Sequence, residues 1–389
     1  MRNFTANSKL WLLILPLILL VLLGIILIPS KANVYEWVFV YYMSYDNDLS
    51  SFGEVILGDL ENGLSNSKIA VVVQADFIDS KGVKRIGLYY AGGKARRKET
   101  ILKSEDSADE AELMKYLEWV RKKWVAKNYC IIFLDHGGKL NDMCKDNKPF
   151  RNQKKNRQFT SGKWLRASGA GEIVASFNQE TGCKVRLLFL QQCGRATIQN
   201  LYNFTDAAEY IMASPLIVGA PNTYYTKTIA AASRDPNITG EILAATIMRE
   251  DEHYTLYTLV SNEQLKRLPE KLRPVLKSFG CASALIRPES CLPLFEHEGE
   301  KFYDLKSFFY ALNSANNNIA GEELGSFFEW CRSRLIVSKA IREPGLPAEP
   351  SYSGLSIYVP SSPNAGTDYS FLPLNRQTEL EHTMKLISK

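Results

Sequence analysis

YCIIFLDHGG (129–138) and VRLLFLQQCG (185–194) decide how this chain folds. Each is an apolar, aromatic and β-branched run that stops abruptly, the first at Asp135-His136-Gly137-Gly138 and the second at Gln191-Gln192-Cys193-Gly194. Strands that are apolar throughout are buried on both faces, which implies a mainly parallel sheet covered by helices. In such sheets, sites form beyond the carboxyl ends of strands. His136 and Cys193 each stand just past such an end, so neighbouring strands would set an imidazole against a thiol.

Working outward, EWVFVYYM (36–43) and IAVVVQAD (69–76) repeat the buried-strand pattern, and RIGLYYAGG (85–93) reads as an edge-type strand. Leu113, Leu117, Val120 and Trp124 recur at helical spacing and predict an amphipathic helix leading into the first diagnostic strand. Downstream, EYIMAS (209–214) predicts a strand, 301–315 and 322–341 predict helices, and SGLSIYVP (353–360) predicts a late strand. The interval 145–166 carries Lys145, Lys148, Arg151, Lys154, Lys155 and Arg157 and reads as an exposed, mobile loop open to nicking.

A cysteine thiolate is a strong nucleophile, and an adjacent histidine can deprotonate the thiol and later protonate the leaving amine. Glycine after the histidine lets a backbone N–H approach a substrate carbonyl, so the N–H groups of Gly137 and Cys193 are candidates for an oxyanion hole. Taken singly, each residue fits a blander role: a buried cysteine as a small hydrophobe, a strand-end histidine as a satisfied polar group. The pair, 57 residues apart, carries the chemistry.

The 389 residues are 46% hydrophobic and 23% charged, a globular composition with room for a sizeable core. Lys+Arg 47 against Asp+Glu 42 leaves a net charge of +5, without the concentrated basic excess of a nucleic-acid-binding domain. Residues 10–28, LWLLILPLILLVLLGIILI, carry no charge and approach the ~20 residues that cross a bilayer. Arg2 and Lys9 before them place everything after Pro29 on the extracytoplasmic side. Two readings stand: an uncleaved membrane anchor, favoured by length, with the body periplasmic or at the cell surface, or a signal peptide cut after Ala32 and a secreted body. The chain thus divides into a cytoplasmic stub and anchor (1–30), a catalytic core (34–232) and a C-terminal extension packing on that core (233–389).

Seven cysteines in an exported chain allow three disulfides and one spare thiol. The four histidines show no zinc-binding spacing. Asp46 and Asp48 suit calcium by ligand type, but two acids in a turn are more often strand-end caps, so no metal and no cofactor are placed.

Several of these segments carry a resemblance. VFVYYMSYDNDLSSFGEVILGDLENG with KIAVVVQADF, IFLDHGG, LLFLQQCG, and DLKSFF with GLSIYVP resemble, over roughly 36–360, the clostripain family of cysteine peptidases. The histidine-to-cysteine spacing is also similar to that of caspases. The resemblance implies a caspase-like α/β/α sandwich and an endopeptidase acting on peptides or proteins through a His136–Cys193 dyad and a thioester. It further implies activation by cleavage between the His and Cys strands, here near Lys154 or Lys155, and a primary specificity pocket containing the residue two before the nucleophile. That residue, acidic in relatives that cut after Arg or Lys, is Gln191 here, and 213–225 adds no acid. A basic side chain would lack its countercharge. The preference is then neutral or acidic, with Arg195 as a helper for an acidic side chain. The alternative is a catalytically silent relative that binds peptides or partner proteins; a depressed Cys193 pKa separates an active thiol from an inert one.

Overall fold

The computed structural model describes residues 34–78, 82–102, 106–147, 163–280, 291, 293–342, 352–360 and 367–387. The apolar run 10–28, the Ala32 site and Lys154 and Lys155 lie outside them. Among the described residues no helix is long and apolar enough to cross a membrane.

Nine strands form one sheet. They are β1 (Tyr35–Tyr45), β2 (Ile69–Phe77), β3 (Val83–Ala91), β4 (Lys94–Leu102), β5 (Ala126–Leu134), β8 (Val185–Gln191), β9 (Tyr210–Ala213), β10 (Leu256–Ser261) and β13 (Ile336–Ile341), in the order β13-β10-β9-β8-β5-β1-β2-β3-β4. The five central strands, β9-β8-β5-β1-β2, run parallel. Antiparallel pairs, β3-β4 at one edge and β10-β13 at the other, complete it.

Side chains alternate across this sheet as the strand period of two requires. On β1, Val38, Val40 and Tyr42 enter one core, and Trp37, Phe39, Tyr41 and Met43 enter the other. The first core is covered by helices α2 (Glu110–Lys123) and α3 (Ala167–Glu180) and, from the C-terminal half, by Leu268–Phe279, Leu305–Ala315 and Gly321–Trp330. The second is covered by α1 (Gly53–Asn62), α5 (Tyr225–Arg234) and α6 (Gly240–Glu250), a short α4 (Ile198–Tyr202) lying between α3 and α5 in the chain. The result is a three-layer α/β/α sandwich. The predicted helix at 113–124 is α2. Asp109 caps it by accepting the Ala111 N–H at 2.8 Å, acids fill its first turn, and Arg121, Lys122 and Lys123 close its last, matching the helix dipole.

Several sequence expectations are corrected. The strand at 85–93 is β3 and is not the edge; the edge is β4, KARRKETIL, whose charges escaped the strand pattern because exposed edges favour them. The helix expected over 322–341 ends at Trp330, and after a π turn (Cys331–Leu335) the β-branched start of IVSKAI becomes β13 on the opposite edge. The stretch 301–315 begins as strand β12 (Glu300–Asp304) and turns helical only at Leu305, where the Asp304 carboxylate accepts the Lys306 and Ser307 N–H groups. The late strand shrinks to β14 (Ser356–Tyr358). It joins β12 and β11 (Pro293–His297) in a separate three-stranded sheet. The ends of the basic loop are paired strands, β6 (Asp142–Asp146) with β7 (Lys163–Arg166).

Candidate active site

Register brings the two diagnostic segments together. Leu134 at the end of β5 is level with Gln191 at the end of the adjacent parallel β8. His136 and Cys193 each follow two residues later, just past the ends of strands about 4.8 Å apart. Both side chains are half-buried and line one cleft of about 320 Å3.

The Asp46-Asn47-Asp48-Leu49 turn supplies the histidine's neighbour. Asn47 accepts the Leu49 N–H at 3.0 Å to start a 3₁₀ turn, and its amide donates to the buried Asp135 carboxyl at 2.7 Å. That fixes Asp48, whose Oδ1 lies 2.8 Å from His136 Nε2. The hydrogen bond to His136 pulls the exposed Asp48 carboxylate below its usual range. Asp135, one residue before the histidine, behaves oppositely. Burial raises it well above the usual carboxyl range despite hydrogen bonds from the backbone N–H groups of Lys145 and His136 and from Asn47. Asp46 is buried and Asp48 exposed, so the two acids do not share a surface. Among the described residues no group of three or more His, Cys, Asp or Glu side chains converges as a metal site.

The nucleophile candidate sits in a turn that glycine makes possible. Gly194 has φ +69°, and a Cβ there would lie 2.3 Å from the Phe295 ring. Cys193 Sγ lies 3.4 Å from the Val218 N–H, packed beside the apolar cluster of Leu140, Phe295, Phe302, Tyr358, Tyr369 and Leu372. Burial pushes the thiol above its ordinary range. The amides of Val218, Cys193 and Gly137 and the charge of Arg195 offset this only in part. The depressed pKa expected of an active thiol is therefore not found at rest, because the apolar cluster desolvates the sulfur.

Gly137 is wedged against the same turn. A Cβ on it would stand 2.0 Å from the Cys193 carbonyl oxygen and 3.1 Å from its nitrogen, so only glycine fits there. Arg195, read from the sequence as a helper for an acidic substrate, has another task. It is 1% exposed, and all its N–H groups go to backbone carbonyls: Nε to Cys193 at 3.0 Å, Nη1 to Lys139 and Asp142, Nη2 to Gly138 and Lys139. Burial lowers its pKa to about 10, so it stays charged near neutrality, but it presents no donor to a ligand.

Gln191 is buried, and its amide is taken up internally. It donates to Tyr225 OH at 3.0 Å and to Asn222 Oδ1, and accepts from Tyr224 OH. Asn222 passes the network to the fully buried Asp251, which also accepts Tyr257 OH at 2.9 Å. Gln191 is not among the residues lining the cleft, whose walls are Ile217, Trp164, Phe295 and His297, with Lys145 and Asn147 at one side. The two aromatic walls were invisible to the sequence reading because Trp164 and Phe295 come from β7 and β11, far from either diagnostic strand. Cys130, Cys144, Cys183 and Cys331 are free thiols like Cys193, so three disulfides cannot form in this arrangement.

Residues 41–267 match the sequence profile of the Clostripain family. Among solved structures, a secreted C11 cysteine protease from Bacteroides thetaiotaomicron, in complex with an irreversible peptide inhibitor, is 13% identical with a TM-score of 0.68 over 89% of this chain and 99% of its own. An inactive zymogen C11 protease from Parabacteroides distasonis is 14% identical with a TM-score of 0.64, over 90% and 99%. The structure of a secreted C11 cysteine protease from B. thetaiotaomicron called iotapain is 15% identical with a TM-score of 0.62, over 92% and 100%. At these identities the likeness is one of fold. No curated protein sequence matches the chain. The profile match spans more than half the chain and includes both diagnostic strand ends, and on that ground the chain belongs to the clostripain family of cysteine peptidases.

Proposed function

We propose that this protein is an endopeptidase in which Cys193 is the nucleophile and His136 the general base and acid, oriented by Asp48. The observation that carries the reading is the register of β5 and β8, which sets both side chains at one level of one cleft. With Nε2 engaged by Asp48, Nδ1 is the imidazole nitrogen left to exchange protons. His136 takes the thiol proton as sulfur attacks the scissile carbonyl carbon, and the C=O electron pair moves to oxygen. The N–H groups of Gly137 and Cys193 receive that oxyanion. Collapse of the intermediate expels the amine, which takes the proton from His136 and leaves a thioester. Water, deprotonated by His136, then releases the acid and the thiol. Because burial keeps the thiol neutral at rest, deprotonation belongs to the reaction rather than to a standing ion pair.

The side-chain preference follows from what the site lacks. The amide of Gln191 is saturated by Asn222, Tyr224 and Tyr225, and the free wall of the cleft is apolar and aromatic. These features support cleavage beside uncharged side chains rather than after Arg or Lys. The apolar run 10–28 supports an anchored, extracytoplasmic body acting on peptides or proteins there.

The test is peptide-library cleavage by the full-length protein in detergent, beside Cys193→Ala and His136→Ala. Cleavage lost in both variants, at sites not dominated by Arg or Lys, is expected. Cleavage that persists in Cys193→Ala overturns the dyad. A wild type silent on every library, whose Cys193 no electrophile labels, favours the peptide-binding relative instead.

A further inference from the structure

The peptide unit joining His136 to Gly137 holds one end of the oxyanion hole in place through the other. A trans peptide is planar, and its C=O and N–H point in opposite directions. Gly137 packs directly against the Cys193 backbone, and its amide is one of the groups that offset the burial of the Cys193 thiol. The oxygen of the peptide unit, the His136 carbonyl, accepts a hydrogen bond of 3.1 Å from Gln192 Nε2. Gln192 is 1% exposed, and its amide also donates to the buried Cys144 Sγ at 3.3 Å, so the side chain is fixed at both protons and touches no substrate.

The neighbouring geometry explains why such an anchor matters. Arg195 clamps the Gly138 carbonyl, two residues after that of His136, at 2.8 Å, and the Gly138 N–H reaches Asp142 O at 3.2 Å. The Gly137 Cα cannot move toward Cys193, given the 2.0 Å separation that a Cβ would have there. Gly137 also pairs with Met143 in an isolated antiparallel bridge, so the tilt of the 136–137 peptide plane is set by that bridge and by the Gln192 hydrogen bond to its oxygen.

We infer that Gln192 is a positioning residue: by holding the His136 carbonyl, it aims the Gly137 N–H at the oxygen of the tetrahedral intermediate on Cys193. The inference rests on the Cys193–His136 reading and adds a determinant to it. Its signature is selective. Chemistry that develops an oxyanion needs Gln192, and chemistry at the same sulfur without one does not.

Two probes separate these in the full-length protein. Iodoacetamide alkylates sulfur by displacement at carbon: the S–C bond forms, iodide leaves, and no oxyanion develops. A peptidyl norleucine aldehyde adds the thiol across its C=O: the S–C bond forms, the π pair goes to oxygen, and oxygen takes the thiol proton. In Gln192→Met, normalised to titrated Cys193 thiol, alkylation within about twofold of wild type is expected. Aldehyde inhibition and kcat should both weaken about 10- to 100-fold with KM nearly unchanged, short of the roughly 100- to 1000-fold of a donor removed outright. Gln192→Glu provides the second arm. Its ionised carboxylate opposes the His136 carbonyl and its protonated form can donate, so activity relative to wild type should rise as pH falls through the carboxyl range. Equal losses in alkylation and aldehyde binding, or no loss in either, overturn the assignment. A fully active Gln192→Met beside an inactive Cys193→Ala removes only Gln192. Hydrolysis surviving in Cys193→Ala removes the reading beneath it.

Discussion

At the residue scale, the site depends on two close contacts. His136 Nε2 lies 2.8 Å from Asp48 Oδ1, and among the described residues no other acid lines the cleft. Asp48→Asn should lower kcat by roughly tenfold with little change in KM, since in the proposed mechanism the carboxylate orients the base without touching substrate. An unchanged kcat in steady-state kinetics would remove Asp48 from the mechanism. Gly137→Ala forces a methyl to within 2.0 Å of the Cys193 carbonyl and, on the proposed mechanism, displaces an oxyanion donor, so activity should fall ~100-fold or more. The thiol itself gives a pH signature. Because burial raises Cys193 above the ordinary thiol range, its thiolate fraction, and with it the rate of iodoacetamide labelling, should still be climbing at pH 9. A plateau reached below pH 7 would mean a pre-formed thiolate instead.

At the element scale, much was legible and some was not. The five buried parallel strands carry largely apolar runs, and each was readable as a strand because both its faces are covered. β4 and β13 were missed for a shared reason: an edge strand has a solvent side, and its charges or its continuity with a preceding helix erase the pattern. His136, Cys193 and Gly137 stood out as candidates because chemistry-bearing residues at strand ends interrupt an apolar run, and the register sets them at one cleft. Arg195, Gln192, Phe295 and Trp164 were not, because their roles are tertiary. Arg195 shows what this hides: four hydrogen bonds from its Nη groups join the 138–142 loop to the nucleophile turn, and its Nε ties back to the Cys193 carbonyl. Replacing it with Met leaves buried carbonyls unpaired, and chemical denaturation should register a loss of about 3 kcal/mol. A stability loss near zero would mean the loop holds itself.

At the scale of the whole molecule, buried acids set the pH response. Burial raises Asp135, Asp142, Glu300 and Asp304 above their ordinary values. In the unfolded chain they titrate near pH ~4, so between there and their native values the folded state binds more protons. Stability should therefore fall as pH rises over that window. Of the groups acting in the opposite direction, His297, lowered by burial, does so only below pH ~6.5, and the lowered carboxylates Asp48 and Glu54, largely exposed and screened, only below pH ~4. The melting temperature should be higher at pH 5 than at pH 8, and Asp135→Asn should flatten that slope. A melting temperature that rises over the same interval would contradict this balance.

The claim at the centre is that peptide-bond cleavage passes through a thioester on Cys193, made with His136 as base. Mixing the full-length protein with an activated peptidyl ester, quenching in acid within milliseconds and mapping the adduct by mass spectrometry tests it most directly. The acyl mass is expected on the peptide containing Cys193, absent in Cys193→Ala and formed far more slowly in His136→Ala. An acyl group on any other residue, or ester turnover that survives Cys193→Ala, would contradict the account.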